Sequence, residues 1–97
     1  MYARVTIAQV LPGKIDEAIG IFRDSVVPAA NQQKGHKGHY LLTDRENGKG
    51  ISISFWETEA DMTAGESSGH YQQQIAKFKD IFAALPVREA YKVSVQP

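Results

Sequence analysis

Apolar and polar residues alternate along the beginning of the chain and then recur at helical steps. Residues 2–10 place Ala3, Val5 and Ile7 on one side, which is the period of a half-buried strand. Pro12-Gly13 breaks this strand. An apolar stripe at three- and four-residue steps then predicts a helix, formed by Ile15, Ala18, Ile19, Phe22 and Val26. Pro28 leaves the end of the helix open, because its ring excludes the normal backbone hydrogen bond.

Two strands joined by a tight turn are predicted next. In residues 39–44, His39 and Leu41 share one side, and the turn signal Glu46-Asn47-Gly48 follows. Asn-Gly between two strand-like segments is typical of a hairpin. The return strand alternates in residues 51–56, with Ile51, Ile53 and Phe55 on one side and Ser52, Ser54 and Trp56 on the other.

A capped helix and a last strand complete the pattern. Thr58 followed by Asp61 resembles a capping box with a shorter acid. The later helical stripe consists of Met62, Tyr71, Ile75, Phe78, Phe82 and Leu85. We expect Gly65 and Gly69 to interrupt this helix, Pro86 to end it, and residues 87–95 to alternate as a strand.

The element order strand, helix, strand, strand, helix, strand predicts an α+β, ferredoxin-like βαββαβ fold, in which both helices cover one face of an antiparallel sheet. We expect the apolar side to face the helices, namely Val5, Ile7, Ile51, Ile53, Phe55, Val93 and Val95. The opposite face would then be uncovered and carry Tyr2, Arg4 and Trp56 among polar residues. An exposed indole favours contact with a second copy, so we predict a homodimer that buries Trp56 at its seam.

Composition limits the classes of function. The 97 residues fit one domain spanning 1–97, and the 11 basic and 11 acidic side chains cancel and are interspersed, which argues against binding to nucleic acid or an anionic membrane. The absence of cysteine excludes disulfides and thiolate zinc sites and fits a reducing cytoplasm. The first residues contain no hydrophobic run long enough for a signal peptide or a membrane span.

The segment Phe55-Trp56-Glu57-Thr58-Glu59-Ala60-Asp61, followed by the pair His70-Tyr71 fourteen positions after the Trp, resembles the antibiotic biosynthesis monooxygenase family of the dimeric alpha/beta barrel superfamily. The resemblance covers nearly the whole chain. It implies a homodimer whose two sheets form a barrel, with a pocket in each subunit between helices and sheet. Active members of this family oxidise aromatic polyketides or quinols with dioxygen and need neither metal nor flavin, so no cofactor is expected.

The chain departs from this family at two points. Many members carry an additional His five positions before the His-aromatic pair, where this chain has Gly65. Haem-degrading relatives use an Asn in the first strand and a second Trp in the helix, whereas this chain has one Trp and no Asn in residues 2–10. Haem degradation is therefore disfavoured.

Candidate site residues follow from the implied pocket. His70 and His39 are candidate catalytic bases, because an imidazole can take a phenolic proton and so activate an aromatic ring toward oxygen. The candidate residues for contact with a small apolar or aromatic substrate are Tyr71, Phe22, Phe55 and Phe78. A polar helix start with a packed tyrosine also explains His70 and Tyr71, and the pattern favours this simpler explanation. His36 and His39 resemble a metal pair but lack a third ligand, so we expect no metal site.

Two functions remain open at this point. One is a cofactor-independent monooxygenase acting on a small aromatic or quinol-type substrate. The alternative is a non-catalytic dimeric module that binds a small ligand or serves a structural role, which Gly65 favours slightly because it replaces the usual histidine.

Overall fold

One antiparallel sheet with a layer of helices on one face forms the protein, as described by a computed structural model of residues 1–97. Its elements are β1 (Tyr2–Gln9), α1 (Ile15–Ile21), a π-helical turn (Phe22–Val26), α2 (Val27–Ala30), β2 (His36–Asp44), β3 (Lys49–Trp56), α3 (Glu59–Ser67), α4 (His70–Ala76) and β4 (Val87–Lys92). None of the helices is both long enough and apolar enough to cross a membrane.

The strand order in the sheet is β2-β3-β1-β4, with every neighbouring pair antiparallel. The two central strands are thus β1 and β3, and each helical region crosses the same face between strands. This order confirms the predicted ferredoxin-like α+β fold. The predicted hairpin is also confirmed: Gly48 has φ 73°, and a Cβ there would lie 2.9 Å from the Val10 carbonyl oxygen, so the turn requires glycine.

The predicted assignment of the two sheet faces is wrong. The side that carries Arg4, Thr6, Ser54 and Trp56 lies under the helices, and all four of these residues are buried. The register places the apolar side on the open face, where the cross-strand neighbours include Val5, Ile7, Ile51, Ile53, Tyr40, Leu42, Val87 and Tyr91. Trp56 is therefore 1% exposed within a single chain and does not lie at a dimer seam.

The polar face can be buried because its groups find partners within the chain. Arg4 Nη2 donates to the Met62 carbonyl oxygen at 2.7 Å, and Trp56 Nε1 donates to Ser54 Oγ at 2.9 Å. Thr6 Oγ1 and the Tyr71 hydroxyl share a hydrogen bond of 2.9 Å. Hydrogen bonding removes most of the cost of taking polar groups out of water, so apolar content alone does not decide which face the helices cover.

The first helical region continues past Pro28, which lies in the first turn of α2. The π-helical turn directly precedes this segment, and proline lacks the N–H that a regular helix would use here. The inward side chains of the first helical region join the hydrophobic core. This core consists of Val10, Ile15, Ala18, Phe22, Val26, Phe78 and Ile81.

The second helical region is shorter than predicted. Gly69, with φ 85°, separates α3 from α4, which confirms the interruption expected at Gly69. The interruption expected at Gly65 is wrong, because this residue lies within α3. Regular helix ends at Ala76, and Leu85 is 93% exposed, so Leu85 does not belong to the buried stripe. The last strand ends at Lys92 and does not extend to residue 95.

The cap of α3 provides a test of this local structure. Thr58 Oγ1 accepts a hydrogen bond from the Asp61 backbone N–H at 3.0 Å. We expect Thr58→Ala to lower the free energy of unfolding by about 1 kcal/mol in urea denaturation, because one N–H at the helix start loses its acceptor. Thr58→Ser, which keeps the hydroxyl, is the control and should stay near the wild type. Equal stability of Thr58→Ala and Thr58→Ser would contradict this role.

Candidate functional site

A cavity of about 90 Å³ lies between the helix layer and the polar face of the sheet. Its wall is mostly apolar, and the π-helical turn contributes both Phe22 and Val26 to it. Single π-helical turns within α-helices often occur at functional sites. A cavity of roughly 150 Å³ holds one benzene ring, so a ligand of that size or larger requires side chains of the helix layer to move.

Five of the six candidate site residues predicted from the sequence line this cavity: His39, His70, Tyr71, Phe22 and Phe78. Phe55 does not. It lies on the open face of the sheet, with its ring edge-on to Tyr40 at a centroid distance of 6.2 Å. The error follows directly from the inverted face assignment, because Phe55 and Trp56 are consecutive in β3 and point to opposite sides.

His39 is held in the cavity wall by contacts on both ring nitrogens. Its Nε2 lies 3.0 Å from Ser52 Oγ, and its Nδ1 lies 3.3 Å from His36 Nε2. The Phe22 ring packs perpendicular to the imidazole at 4.9 Å. Burial, together with the neighbouring His36 and Arg4, lowers the pKa of His39 from 6.5 to about 4. The imidazole is therefore neutral at pH 7.

His70 occupies the start of α4, directly after the left-handed Gly69. Unlike His39, its ring makes no hydrogen bond to another side chain, and it lines the cavity beside Tyr71. Burial lowers the pKa of His70, with smaller contributions from the positive charges of Arg4 and Lys77. A neutral imidazole with free ring nitrogens can accept a proton from a bound ligand.

His36 and His39 interact with each other and gather no further ligand. No group of three or more His, Asp or Glu side chains lies close enough together to hold a metal ion. The His36 ring also packs edge-on against Trp56 at a centroid distance of 5.2 Å. The contacts form a hydrogen-bonded chain from Ser52 in the cavity through His39 to His36, which is half-buried near the end of the sheet.

A charged cluster at the cavity was missed by the sequence analysis. Arg4 is only 5% exposed, and its Nε lies 3.4 Å from Glu66 Oε2. Arg88 Nη1 lies 3.3 Å from the other oxygen of the same carboxylate. The Tyr71 ring lies beneath both guanidinium groups, at 4.6 Å from Arg4 and 5.2 Å from Arg88, and Trp56 also contacts Arg4 at 5.5 Å. Arg4 was assigned to the open face, so its burial was not anticipated.

The sequence profile of the family described as antibiotic biosynthesis monooxygenase matches residues 1–77. The chain belongs to this family. The resemblance noted around Trp56 and His70 is thereby confirmed.

Relatives by sequence occur in Mycobacterium tuberculosis. An uncharacterized protein of strain ATCC 25618 / H37Rv is 33% identical over 98 aligned residues, which cover 97% of this chain and 41% of that protein. A second uncharacterized protein of the same strain is 41% identical over 64 residues, covering 66% of this chain and 27% of that protein. The chain thus spans about two fifths or less of the length of these relatives.

Solved structures share the family fold at low sequence identity. A cofactor-independent oxygenase, SnoaB from Streptomyces nogalater, superposes with a TM-score of 0.80 at 14% identity, covering 98% of this chain and 94% of that chain. A protein of unknown function from Nitrosomonas europaea gives a TM-score of 0.78 at 18% identity, covering 99% and 91%. At such identities the likeness concerns the fold alone.

The lowered pKa of the half-buried His39 makes the stability of the protein depend on pH. Because its pKa is about 4 in the folded protein and 6.5 without burial, the unfolded chain binds more protons between these values. The associated stability is fully present above about pH 6.5 and is lost as the pH falls toward about 4. The lowered pKa values of His36 and His70 act in the same direction.

NMR titration of the imidazole protons measures this directly. We expect one histidine signal to titrate near pH 4, and His39→Gln assigns it by its disappearance. Urea denaturation at pH 7 and pH 5 should show lower stability at pH 5. A His39 signal that titrates at pH 6.5 or above would contradict the burial described here.

Proposed function

We propose that the chain is a cofactor-independent monooxygenase that acts on a small aromatic or quinol-type substrate in the cavity. The observation that carries the proposal is a neutral imidazole, His70, with free ring nitrogens in the wall of an otherwise apolar cavity. Membership of the antibiotic biosynthesis monooxygenase family supports the reaction class, and the shared fold of an oxygenase, SnoaB, is consistent with it.

His70 would start the reaction by accepting a proton from the activated CH₂ group of the substrate. The resulting carbanion gives its electrons to dioxygen and forms a carbon–oxygen bond, and the proton returns to complete a hydroperoxide. Loss of water then converts the CH₂ carbon to a carbonyl. One oxygen atom enters the product and the other leaves as water, so CH₂ and O₂ become C=O and H₂O.

The other cavity residues would position the substrate and keep water out. Phe22 and Phe78 supply apolar walls, and Tyr71 is fixed by its hydrogen bond to Thr6. His39 accepts a proton less readily than His70, because both of its nitrogens are engaged and its pKa is about 4. We assign His39 a positioning role, in which its bonds to Ser52 and His36 hold the wall of the cavity in place.

We further propose that the protein is a homodimer that joins through the open face of the sheet. Tyr40 is 62% exposed and Leu42 is 52% exposed on this face, and both lie beside a row of isoleucines from β1 and β3. Four strands of about eight residues span a plane of roughly 500 Å². The accessible surface of such a corrugated face is larger, and it approaches the roughly 800 Å² per partner of a stable interface.

A cytoplasmic location remains a prediction from the lack of cysteine.

If the open face forms the dimer interface, a charge placed on this face should separate the two subunits. Leu42→Asp would place a carboxylate in the proposed interface, so we expect sedimentation at micromolar concentration to change from dimer to monomer. Leu85→Asp is the matched control, because Leu85 is 93% exposed and lies outside the sheet. It should leave the dimer intact. A monomeric wild-type protein would refute the proposed interface.

Oxygen consumption tests the proposed chemistry. Across a panel of hydroquinones and anthrones, we expect uptake by the wild type and at least a 100-fold loss with His70→Gln, because general base catalysis typically contributes 10²–10⁴-fold. Gln73→Ala is the control, since Gln73 is exposed on the same helix. His39→Gln should reduce the rate less than His70→Gln.

Two results would contradict the oxygenase. One is full activity of His70→Gln. The other is tight ligand binding by the wild type with no oxygen uptake from any compound, and this result would support a non-catalytic binding module in its place.

A further inference from the structure

The cavity carries a net positive charge. The titratable side chains that line the cavity are Arg4 from β1, His39 from β2, and His70 and Tyr71 from α4. No Asp or Glu lines the cavity. Glu66 of α3 and Arg88 of β4 adjoin this wall through their ion pairs. Two guanidinium groups and one carboxylate leave this cluster with one uncompensated positive charge.

The hydrogen bonds of Arg4 leave part of its guanidinium without an acceptor. Nη2 donates to the Met62 carbonyl, but Nε is buried and has no hydrogen-bond partner in the protein, because its 3.4 Å contact with Glu66 is an ion pair without hydrogen-bond geometry. Buried donors of this kind are rare in proteins and require an explanation. Gly65 of α3 makes room for the guanidinium, because a Cβ at this position would lie only 3.3 Å from Arg4 Nη2.

The histidines add no charge to the cavity. His36, His39 and His70 all have lowered pKa values and are neutral at pH 7. Arg4 itself contributes to the lowering at His39 and His70, so its field reaches across the cavity. The wall therefore combines apolar and aromatic surface with one buried, incompletely paired cation.

We propose that the cavity binds its aromatic ligand as an oxyanion, a phenolate or an enolate, with Arg4 as the anion-binding residue. The aromatic nature of the ligand rests on the proposed function, but the charge preference rests on the Arg4 cluster alone. Arg4 would then stabilise the deprotonated ligand, and Glu66 would set how much of its charge reaches the ligand.

Two effects on a bound phenol oppose each other. Burial in an apolar cavity raises the pKa of a phenol, whereas an opposite charge within about 4–6 Å lowers it by about 1–3 units. The sign of the measured shift shows which effect is larger. We expect the Arg4 cluster to prevail, because the ligand would meet a cation that is already desolvated.

Binding of 4-nitrophenol to the purified protein tests the proposal, since the yellow phenolate reports ionisation directly. We expect the pKa of the bound phenol to lie about one unit or more below that of the free compound. In Arg4→Met the bound pKa should rise above the free value, because the remaining charges of Glu66 and Arg88 cancel and burial then dominates. In Glu66→Gln it should fall further, because the cluster gains a positive charge. Lys37→Met is the matched control: it removes one charge from an exposed ion pair with Glu57 and should leave the shift unchanged.

Several results would overturn the proposal. They are absence of binding, a bound pKa at or above the free value in the wild type, and equal shifts in the wild type and Arg4→Met. Circular dichroism shows whether Arg4→Met is folded. If it is not, Glu66→Gln decides, and an unchanged or raised bound pKa in that variant refutes the role of Arg4.

The measurement needs no oxygen and is independent of turnover. A protein that lowers the pKa of 4-nitrophenol but consumes no dioxygen with any substrate would refute the proposed oxygenase and leave the anion site intact. Oxygen uptake without a lowered pKa would refute the anion site alone.

Discussion

The burial of Arg4 beneath the helices is the constraint on which the arrangement of this protein depends. A guanidinium near the start of β1 has to be hydrogen-bonded and paired for the most part if it is to leave water. The second helical region meets most of this need, with the Met62 carbonyl and the Glu66 carboxylate on α3 and the Tyr71 ring on α4, while Nε keeps no hydrogen-bond partner. These contacts tie β1 to both α3 and α4. They also place the polar face of the sheet, and with it Trp56, inside the chain.

The same constraint shapes the cavity. The side chains of the sheet beneath the helices are small or polar in part, such as Thr6, Ser52 and Ser54, and they leave space that large apolar residues would fill. The π-helical turn brings Phe22 over this space and against His39. The result is an apolar chamber with one buried cation and neutral imidazoles. Such a chamber suits a ligand that has an aromatic body and a single ionisable oxygen.

The centre of the other face of the sheet is apolar but has no covering layer in this chain. Isoleucines from β1 and β3 form its centre, and Tyr40 and Leu42 lie largely exposed beside them. Helices cover one face only, because both crossover connections pass over the same side. A contact with a second copy would therefore complete the burial that one chain leaves unfinished. The expectation of a dimer was tied to the wrong face, since it relied on Trp56.

The sequence alone determined the order of elements and the fold class. The signals that did so are the alternation of β1, the Asn-Gly turn, the Thr58 cap and the break at Gly69. Each of them acts between residues that are close in the chain. The motif from Trp56 to His70 and Tyr71 likewise identified the family, and five of the six candidate site residues line the cavity. Only the tertiary structure decided which sheet face the helices cover, and so moved Trp56 inward and Phe55 outward. That choice depends on whether Arg4 and Thr6 find partners, and those partners, namely Met62, Glu66 and Tyr71, lie far along the chain in α3 and α4. Periodicity marks two different faces of a strand but carries no information about such distant contacts.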